Sequence, residues 1–136
     1  MRIKCIGTLR ENLNPQTREV DEVTRDFELP IGKVFTVYCI SIWRGVLYYL
    51  IVDVNEPRPD WYPAELFVVE DTLLPQEMHY KYFGLQDKRG VNALWGYMEM
   101  VLDDQHYVDL IERKAEAIEI FLRRKKDFDN IKGYLP

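Results

Sequence analysis

The sequence predicts an α+β protein in which a small, bent antiparallel sheet or partly open barrel is followed by two C-terminal helices. Between Val34 and Phe67, two runs of β-branched and aromatic residues meet at Arg44-Gly45. Such runs favour strands, and a two-residue connection with Gly in second place suits a tight hairpin. After Asn92 the apolar residues recur three and four positions apart, which indicates helices.

The chain of 136 residues fits a single domain. We expect a β-rich, barrel-like part over residues 1–84 and a helical part over residues 85–136 that packs on it. No internal repeat or low-complexity tract is visible in the sequence.

The N-terminal third predicts strands around a polar excursion. Met1–Leu9 is expected to form a first strand, and Glu11–Thr24 an extended loop with a turn at Asn14-Pro15. Alternation resumes at Phe27–Ile31, where Pro30 restricts any strand to a short or edge position.

Both faces of the predicted hairpin are largely apolar. The first strand alternates Tyr38 and Ile40 with Val37 and Cys39, and the second strand from Val46 repeats the pattern. A hairpin in water needs only one apolar face, so another layer must cover the second. Barrel closure or packing by the C-terminal helices would provide that layer.

The segment after the hairpin combines a proline-rich loop with two shorter strands. Asn55–Asp60 cannot lie inside a strand, because Pro57 and Pro59 lack the backbone donor that a ladder requires. Trp61–Phe67 predicts a turn and a short strand, and Gln76–Gly84 predicts a further strand.

Two helices are expected at the C-terminal end. The first covers about Asn92–Leu102 and tolerates Gly96, whereas the second runs from about Gln105 to Lys126 after an Asp cap. The second helix carries an apolar stripe that we expect to lie on the sheet: Tyr107, Val108, Ile111, Ala115, Ile118, Phe121 and Leu122.

Charge is unevenly distributed along the chain. The net charge is −5, and residues 53–119 carry six Lys/Arg against fifteen Asp/Glu. An acidic middle argues against a nucleic-acid partner, since phosphate binding needs clustered cations. An acidic surface suits a basic protein partner, because opposite charges accelerate the association of two proteins. The alternative is that the acidic residues only keep the protein in solution.

No sequence motif for catalysis, metal or cofactor binding is present. His79 and His106 lack metal-ligand spacing, phosphate-cradling glycine loops are absent, and Ser41, the only serine, lies in a predicted strand. We therefore expect a non-enzyme without metal or cofactor. Cys5 and Cys39 are expected to be buried thiols rather than a disulfide, as is usual for a cytoplasmic protein.

Neither a signal peptide nor a membrane span is expected from the sequence. The apolar start is broken at Arg10, and Val34–Val54 is interrupted by polar residues. The basic run Arg123–Lys126 is expected to offset the negative end of a helix dipole rather than to bind nucleic acid.

The strongest candidate for a binding site is an aromatic pair surrounded by acids. Trp and Tyr contribute large contact areas at protein interfaces, where a charged rim helps to exclude water. The alternative is that the two rings close the core while the acids solvate its edge. The predicted partner-binding residues are Asp53, Glu56, Asp60, Trp61, Tyr62 and Glu65.

The hairpin YCISIWRGVLYYLIVDV and the segment WYPAELFVV resemble the later strands of a small Src-homology-3-like barrel. In size, acidity and architecture the whole chain is also similar to bacterial immunity proteins that neutralise a cognate toxin. That similarity implies a non-catalytic protein-binding module in the bacterial cytoplasm, whose acidic surface blocks a basic toxin. The alternatives are a regulatory domain that binds peptides through an aromatic surface, and a small enzyme with a cryptic site.

Overall fold

The computed structural model describes residues 1–21, 26–53 and 58–131, and within them it shows an α+β fold of two antiparallel sheets and four helices. The strands are β1 (Arg2–Cys5), β2 (Val34–Thr36), β3 (Cys39–Trp43), β4 (Val46–Val52), β5 (Pro59–Pro63), β6 (Phe67–Asp71), β7 (His79–Tyr82) and β8 (Val91–Gly96). The helices are α1 (Pro15–Val20), α2 (Met98–Leu102), α3 (Asp104–Ile111) and α4 (Ala115–Asp129).

The five-stranded sheet is built on the predicted hairpin. Its strand order is β5-β4-β3-β8-β7, with every neighbouring pair antiparallel. The hairpin turn at Arg44-Gly45 is confirmed: Trp43 pairs with Val46, and the turn residues have φ of 48° and 80°. Positive φ at both central positions matches the right-handed twist of the flanking strands.

The smaller sheet, with strand order β2-β1-β6, covers one face of the larger one. Phe67 of β6 makes edge-to-face ring contacts with Phe35, Tyr49 and Tyr62 at centroid distances of 6.3, 6.0 and 6.5 Å. The second layer that the apolar hairpin required is therefore a separate sheet on one face and helices on the other. Within the described residues the strands form no closed barrel.

The predicted helix over Asn92–Leu102 is wrong for its first half. Val91–Gly96 is strand β8, which lies between β3 and β7, and the helix begins only at Met98. A central strand buried on both faces lacks the regular alternation of apolar and polar residues, so its apolar positions can resemble a helical pattern. Gly96 fits the strand because a Cβ there would lie 2.5 Å from Cys39 Sγ.

The predicted long helix is two helices. α3 ends at Ile111, Arg113 adopts a φ of 58°, and α4 starts at Ala115, so three helices rather than two follow the sheets. A residue with positive φ terminates a helix by the usual C-terminal capping geometry. Arg113 replaces the glycine or asparagine that ordinarily signals such an end, so the sequence pattern runs through it.

Two N-terminal predictions also change. Glu11–Thr24 is not a continuous loop, because Pro15 occupies the first turn of α1, where its missing N–H costs nothing. Phe27–Ile31 forms no strand. The strands predicted near Ile3 and in Gln76–Gly84 are present as β1 and β7.

The C-terminal helix α4 docks through a face that only partly matches the predicted stripe: Phe121 is buried as expected, but Ala115 and Leu122 are exposed, and Ala117 and Phe128 are buried in their place. Phe121 is fully buried, and its ring lies 5.5 Å from Tyr38 and 6.3 Å from Tyr97. The basic run Arg123–Lys126 lies on the same helix, and its Arg124 donates two hydrogen bonds of 2.8 and 2.9 Å to Glu99.

Cys5 and Cys39 are buried free thiols. In the described part of the chain, every helix is too short or too polar to cross a membrane.

Candidate functional site

A cleft of about 590 Å³ lies between α3 and the helix-facing side of the five-stranded sheet. Its walls come from the end of α1, the β3–β4 hairpin, β5, the loop before β8 and α3. The lining residues are Asp21, Trp43, Tyr48, Asp60, Trp61, Lys88, Arg89, Tyr107, Val108, Ile111 and Glu112. The fold therefore gathers residues from five separate segments of the sequence.

Four aromatic side chains form the walls of the cleft. Tyr48 and Leu50 are two residues apart on β4 and so lie on the same face of the sheet. Trp61 of β5 is paired with Leu50, which puts the Trp61 ring on the same face as the Tyr48 ring. Trp43 meets Tyr48 edge to face with ring centroids 6.2 Å apart, and Trp61 meets Tyr107 of α3 at 5.7 Å. Concave sites with mainly aromatic walls and a few polar groups are the usual form of binding pockets.

Arg89 is held in place by neighbouring groups in the chain. Its guanidinium contacts Asp87 at 3.2 Å and Asp104 at 3.6 Å, and it lies over the rings of Phe83 and Tyr107 at 4.7 and 5.5 Å. Burial would raise the pKa of Asp87, but hydrogen bonds from Arg89 and the positive charge outweigh it and lower that pKa. The charge of Arg89 is therefore largely compensated before any partner binds.

Asp21 is engaged in the same way at the opposite wall. Its carboxylate receives hydrogen bonds of 3.1 Å from both the Arg10 guanidinium and the Tyr48 hydroxyl. Burial and the Asp21 charge raise the pKa of Tyr48, and burial raises the pKa of Tyr107 to about 12. Both phenols are therefore neutral at physiological pH and present a mostly apolar surface.

The structure brings two of the predicted partner-binding residues into this cleft. Trp61 is half-buried against Tyr107, and Asp60 is exposed at the rim, where Arg113 approaches its carboxylate to 3.6 Å. Because side chains alternate along a strand, Tyr62 points to the other face, where it packs against Phe27 at 6.1 Å.

The remaining predicted residues lie elsewhere. Glu65 joins two segments, since it accepts hydrogen bonds from the backbone N–H of Asn14 at 2.7 Å and the Thr17 hydroxyl at 2.5 Å. Asp53 is half-buried just after β4 and lines a different surface depression beside Lys33 and Lys125. Glu56 falls outside the described residues.

Sequence reasoning missed most of the aromatic walls. Tyr107 belonged to the predicted helix stripe and Trp43 to the hairpin, so both looked like ordinary core residues. Only strand register and the position of α3 bring them to Trp61. A detectable signal was the spacing of Trp43 and Tyr48 around the turn, which puts both on one face of a two-residue hairpin.

The histidines do not contribute to the cleft. His106 is buried, and its Nε2 lies 2.6 Å from the Tyr97 hydroxyl, which donates to Nε2 when the imidazole is neutral and carries its proton on Nδ1. Burial lowers the pKa of His106, which favours that neutral form. His79 is exposed at the start of β7. Across residues 1–21, 26–53 and 58–131, no group of three or more His, Cys, Asp or Glu is placed to hold a metal ion.

No model of a known protein family matches the chain, and no curated protein or solved structure shows a significant match to it.

Proposed function

We propose that the protein is a non-catalytic binding module that holds another protein by receiving one of its side chains in the aromatic cleft. The observation that carries the proposal is the convergence of Trp43, Tyr48, Trp61 and Tyr107 on one concave surface of about 590 Å³. Aromatic-lined pockets of this kind contribute a large share of the free energy at protein interfaces.

The charges around the cleft favour an uncharged, apolar guest. Arg89 is compensated by Asp87 and Asp104, and Asp21 by Arg10. A buried charge from the partner would lose its hydration, and Arg89 and Asp21, the charged groups beside the aromatic rings, are already paired; Lys88, which also lines the cleft, is exposed to solvent. The guest is therefore an aromatic or large aliphatic side chain, consistent with the peptide-binding alternative inferred from Trp61 and Tyr62.

Affinity capture with a matched pair of surface variants tests this proposal. Ile111 lines the cleft and Leu102 of α2 does not, yet the two side chains have similar exposure, 54% and 57%. Ile111→Arg introduces a long charged side chain at the cleft, whereas Leu102→Arg adds the same charge elsewhere. We expect quantitative mass spectrometry to find a partner with wild type and Leu102→Arg that is strongly depleted with Ile111→Arg.

The result is interpreted only after both variants have shown wild-type circular dichroism spectra. Direct titration of the purified partner then gives dissociation constants for the three proteins. Equal affinity for wild type and Ile111→Arg would place the interface away from the cleft and refute the proposal.

A narrower form of the proposal is the toxin-neutralising immunity protein with an acidic, partner-blocking surface. It is supported by the net charge of −5 and by the excess of acids over residues 53–119. Asp60 is the best residue for its test, because its side chain is 56% exposed while Glu65 is used within the chain. Asp60→Lys should slow association with a basic partner and flatten its salt dependence; an unchanged association rate would count against it.

The remaining functional expectations are also part of this proposal. The cytoplasmic location, the bacterial source and the Src-homology-3-like character of the strands around the hairpin are inferred from sequence patterns. The absence of catalysis is inferred from the sequence, which carries no recognisable catalytic motif. A small enzyme remains the alternative that a substrate screen of the purified protein would test.

A further inference from the structure

The five-stranded sheet ends in two edge strands of different character. β5 forms one edge, and its Pro59 and Pro63 lack the N–H that an added strand would need. β7 forms the other edge, contains no proline, and pairs with β8 without a bulge. All four residues of β7, His79–Tyr82, are exposed. An edge strand without such protection is able to pair with a further strand.

The open side of β7 carries the backbone groups of Tyr80 and Tyr82. The register with β8 continues to Phe83, whose N–H donates to the Asn92 carbonyl at 2.7 Å. Backbone groups of successive strand residues point to opposite sides, so those of Tyr80 and Tyr82 point away from β8. Among the described residues, neither has a hydrogen-bond partner on that side. The edge therefore offers two N–H groups and two carbonyl groups to a partner.

The two faces of this edge differ in chemistry. On one face, the rings of Tyr80 and Tyr82 are 55% and 62% exposed, and Tyr80 packs against Trp95 with ring centroids 4.7 Å apart. On the other face lies Lys81, whose ammonium is 5.2 Å from the centre of the Phe83 ring. Lys81 forms no salt bridge within the described part of the chain. A strand added here would meet an aromatic row on one face and a single positive charge on the other.

Pairing of β7 with a second copy of itself is disfavoured. In full overlap about a two-fold axis, Lys81 would lie directly opposite its equivalent, and like charges in that position destabilise a strand pair. A register shifted by two residues brings Met78 or Gly84 into the pair, but the N–H groups of both are already bonded within the chain. The added strand therefore belongs to a different protein.

We propose that β7 is a docking edge for an extended segment of another protein, in which an acidic residue opposite Lys81 is flanked by apolar residues opposite Tyr80 and Tyr82. The two apolar residues exchange backbone hydrogen bonds with the tyrosines, and their side chains pack on the aromatic row. The acidic residue pairs with the charge of Lys81. No residue of β7 lines the aromatic cleft, so this binding is independent of the proposed function.

Capped peptides of the sequence Thr-Thr-Val-X-Val-Thr-Thr, with Glu or Lys at X, test the edge. Each is titrated into the ¹⁵N-labelled protein, where the indole N–H of Trp95 reports on the aromatic row because its ring packs against Tyr80. We expect the Glu peptide to bind about fivefold more tightly than the Lys peptide. It should shift the Trp95 indole signal and the amide signals of β7, while the indole signal of Trp61 in the cleft stays in place.

Backbone methylation of the Glu peptide tests the strand pairing itself. N-methylation of both valines removes the donors that reach the edge, whereas N-methylation of the central Glu alters a group on the side away from β7. We expect the first peptide to lose binding and the second to retain it. Equal binding by the two methylated peptides would overturn the proposal.

A charge reversal tests the role of Lys81. Lys81→Glu should invert the preference, so that the Lys peptide binds more tightly than the Glu peptide. Lys126→Glu makes the same change at an exposed position on α4 and should keep the wild-type preference. Thermal unfolding establishes that both variants are folded. An unchanged preference in Lys81→Glu, or peptides that leave the signals of β7 and Trp95 in place, would also overturn the proposal; neither result bears on the cleft.

Discussion

Replacing Phe121 by alanine is expected to destabilise the protein by about 4 kcal/mol, because this ring attaches α4 to the rest of the core. Phe121 is 0% exposed and contacts the rings of Tyr38 and Tyr97 at 5.5 and 6.3 Å. Truncating a buried Phe to Ala costs roughly 3–5 kcal/mol, to which lost aromatic pairs contribute about 0.5–1.5 kcal/mol each. The effect is large beside the roughly 5–15 kcal/mol that stabilises a typical domain.

Urea unfolding followed by tryptophan fluorescence and far-ultraviolet circular dichroism measures this change. Leu122→Ala is the matched control, since the neighbouring side chain on the same helix is 44% exposed and should cost less than about 0.5 kcal/mol. Equal m-values are required before the free energies are compared. A loss below about 1 kcal/mol for Phe121→Ala, or one equal to that of Leu122→Ala, would refute the docking of α4 through this ring.

Two further predictions concern the core around β8 and α3. Gly96→Ala should lower the free energy of unfolding by about 1–3 kcal/mol, because the new Cβ would lie 2.5 Å from Cys39 Sγ; Gly7→Ala meets no atom within 4 Å and should show a much smaller loss in the same urea titration. In the folded protein the pKa of His106 is lowered from its unfolded value of 6.5. Below pH 6.5 the unfolded chain therefore binds a proton that the folded protein resists, and the free energy of unfolding falls as the pH is lowered. Urea midpoints at about pH 7.5 and about pH 5.5 should differ less in His106→Gln, which cannot take up that proton; an identical pH dependence would contradict a buried neutral imidazole.

Local signals were sufficient to predict the hairpin and its turn. Arg44-Gly45 is flanked by alternating β-branched and aromatic residues, and those residues pair directly across β3 and β4. The α+β class followed from the same stretch and from the apolar stripe that buries Phe121. These features depend on neighbours close in sequence, which a single sequence displays.

The errors have a common physical origin in tertiary context. β8 is a central strand with buried residues on both faces, so its apolar residues do not alternate regularly with polar ones. Arg113 ends α3 with a positive φ that the sequence does not signal. In both places the environment supplied by distant segments overrides the local pattern.

The candidate site, too, could be predicted only where its residues are adjacent in sequence. Asp60 and Trp61 were predicted together because they are adjacent in sequence, and both lie at the cleft. Tyr62 was grouped with them, but strand alternation turns it to the opposite face. The rest of the aromatic wall, above all Tyr107, joins the site only through the packing of α3 on the sheet.

The protein also presents a second apolar surface, which makes the choice of interface testable. On the opposite face of the five-stranded sheet, the Trp95 ring packs at a tilt against Tyr80 with centroids 4.7 Å apart, and Tyr80 and Tyr82 are 55% and 62% exposed. A partner bound at this face would also contact exposed aromatic side chains, so any measurement of binding must distinguish this face from the cleft.

The three tryptophans of the chain make the most direct measurement possible. Trp43 and Trp61 line the cleft, and Trp95 reports on the opposite face of the sheet. Titrating a captured partner into the ¹⁵N-labelled protein follows all three indole N–H signals in one spectrum. We expect the signals of Trp43 and Trp61 to shift while that of Trp95 stays in place; a shift confined to Trp95 would contradict binding in the cleft.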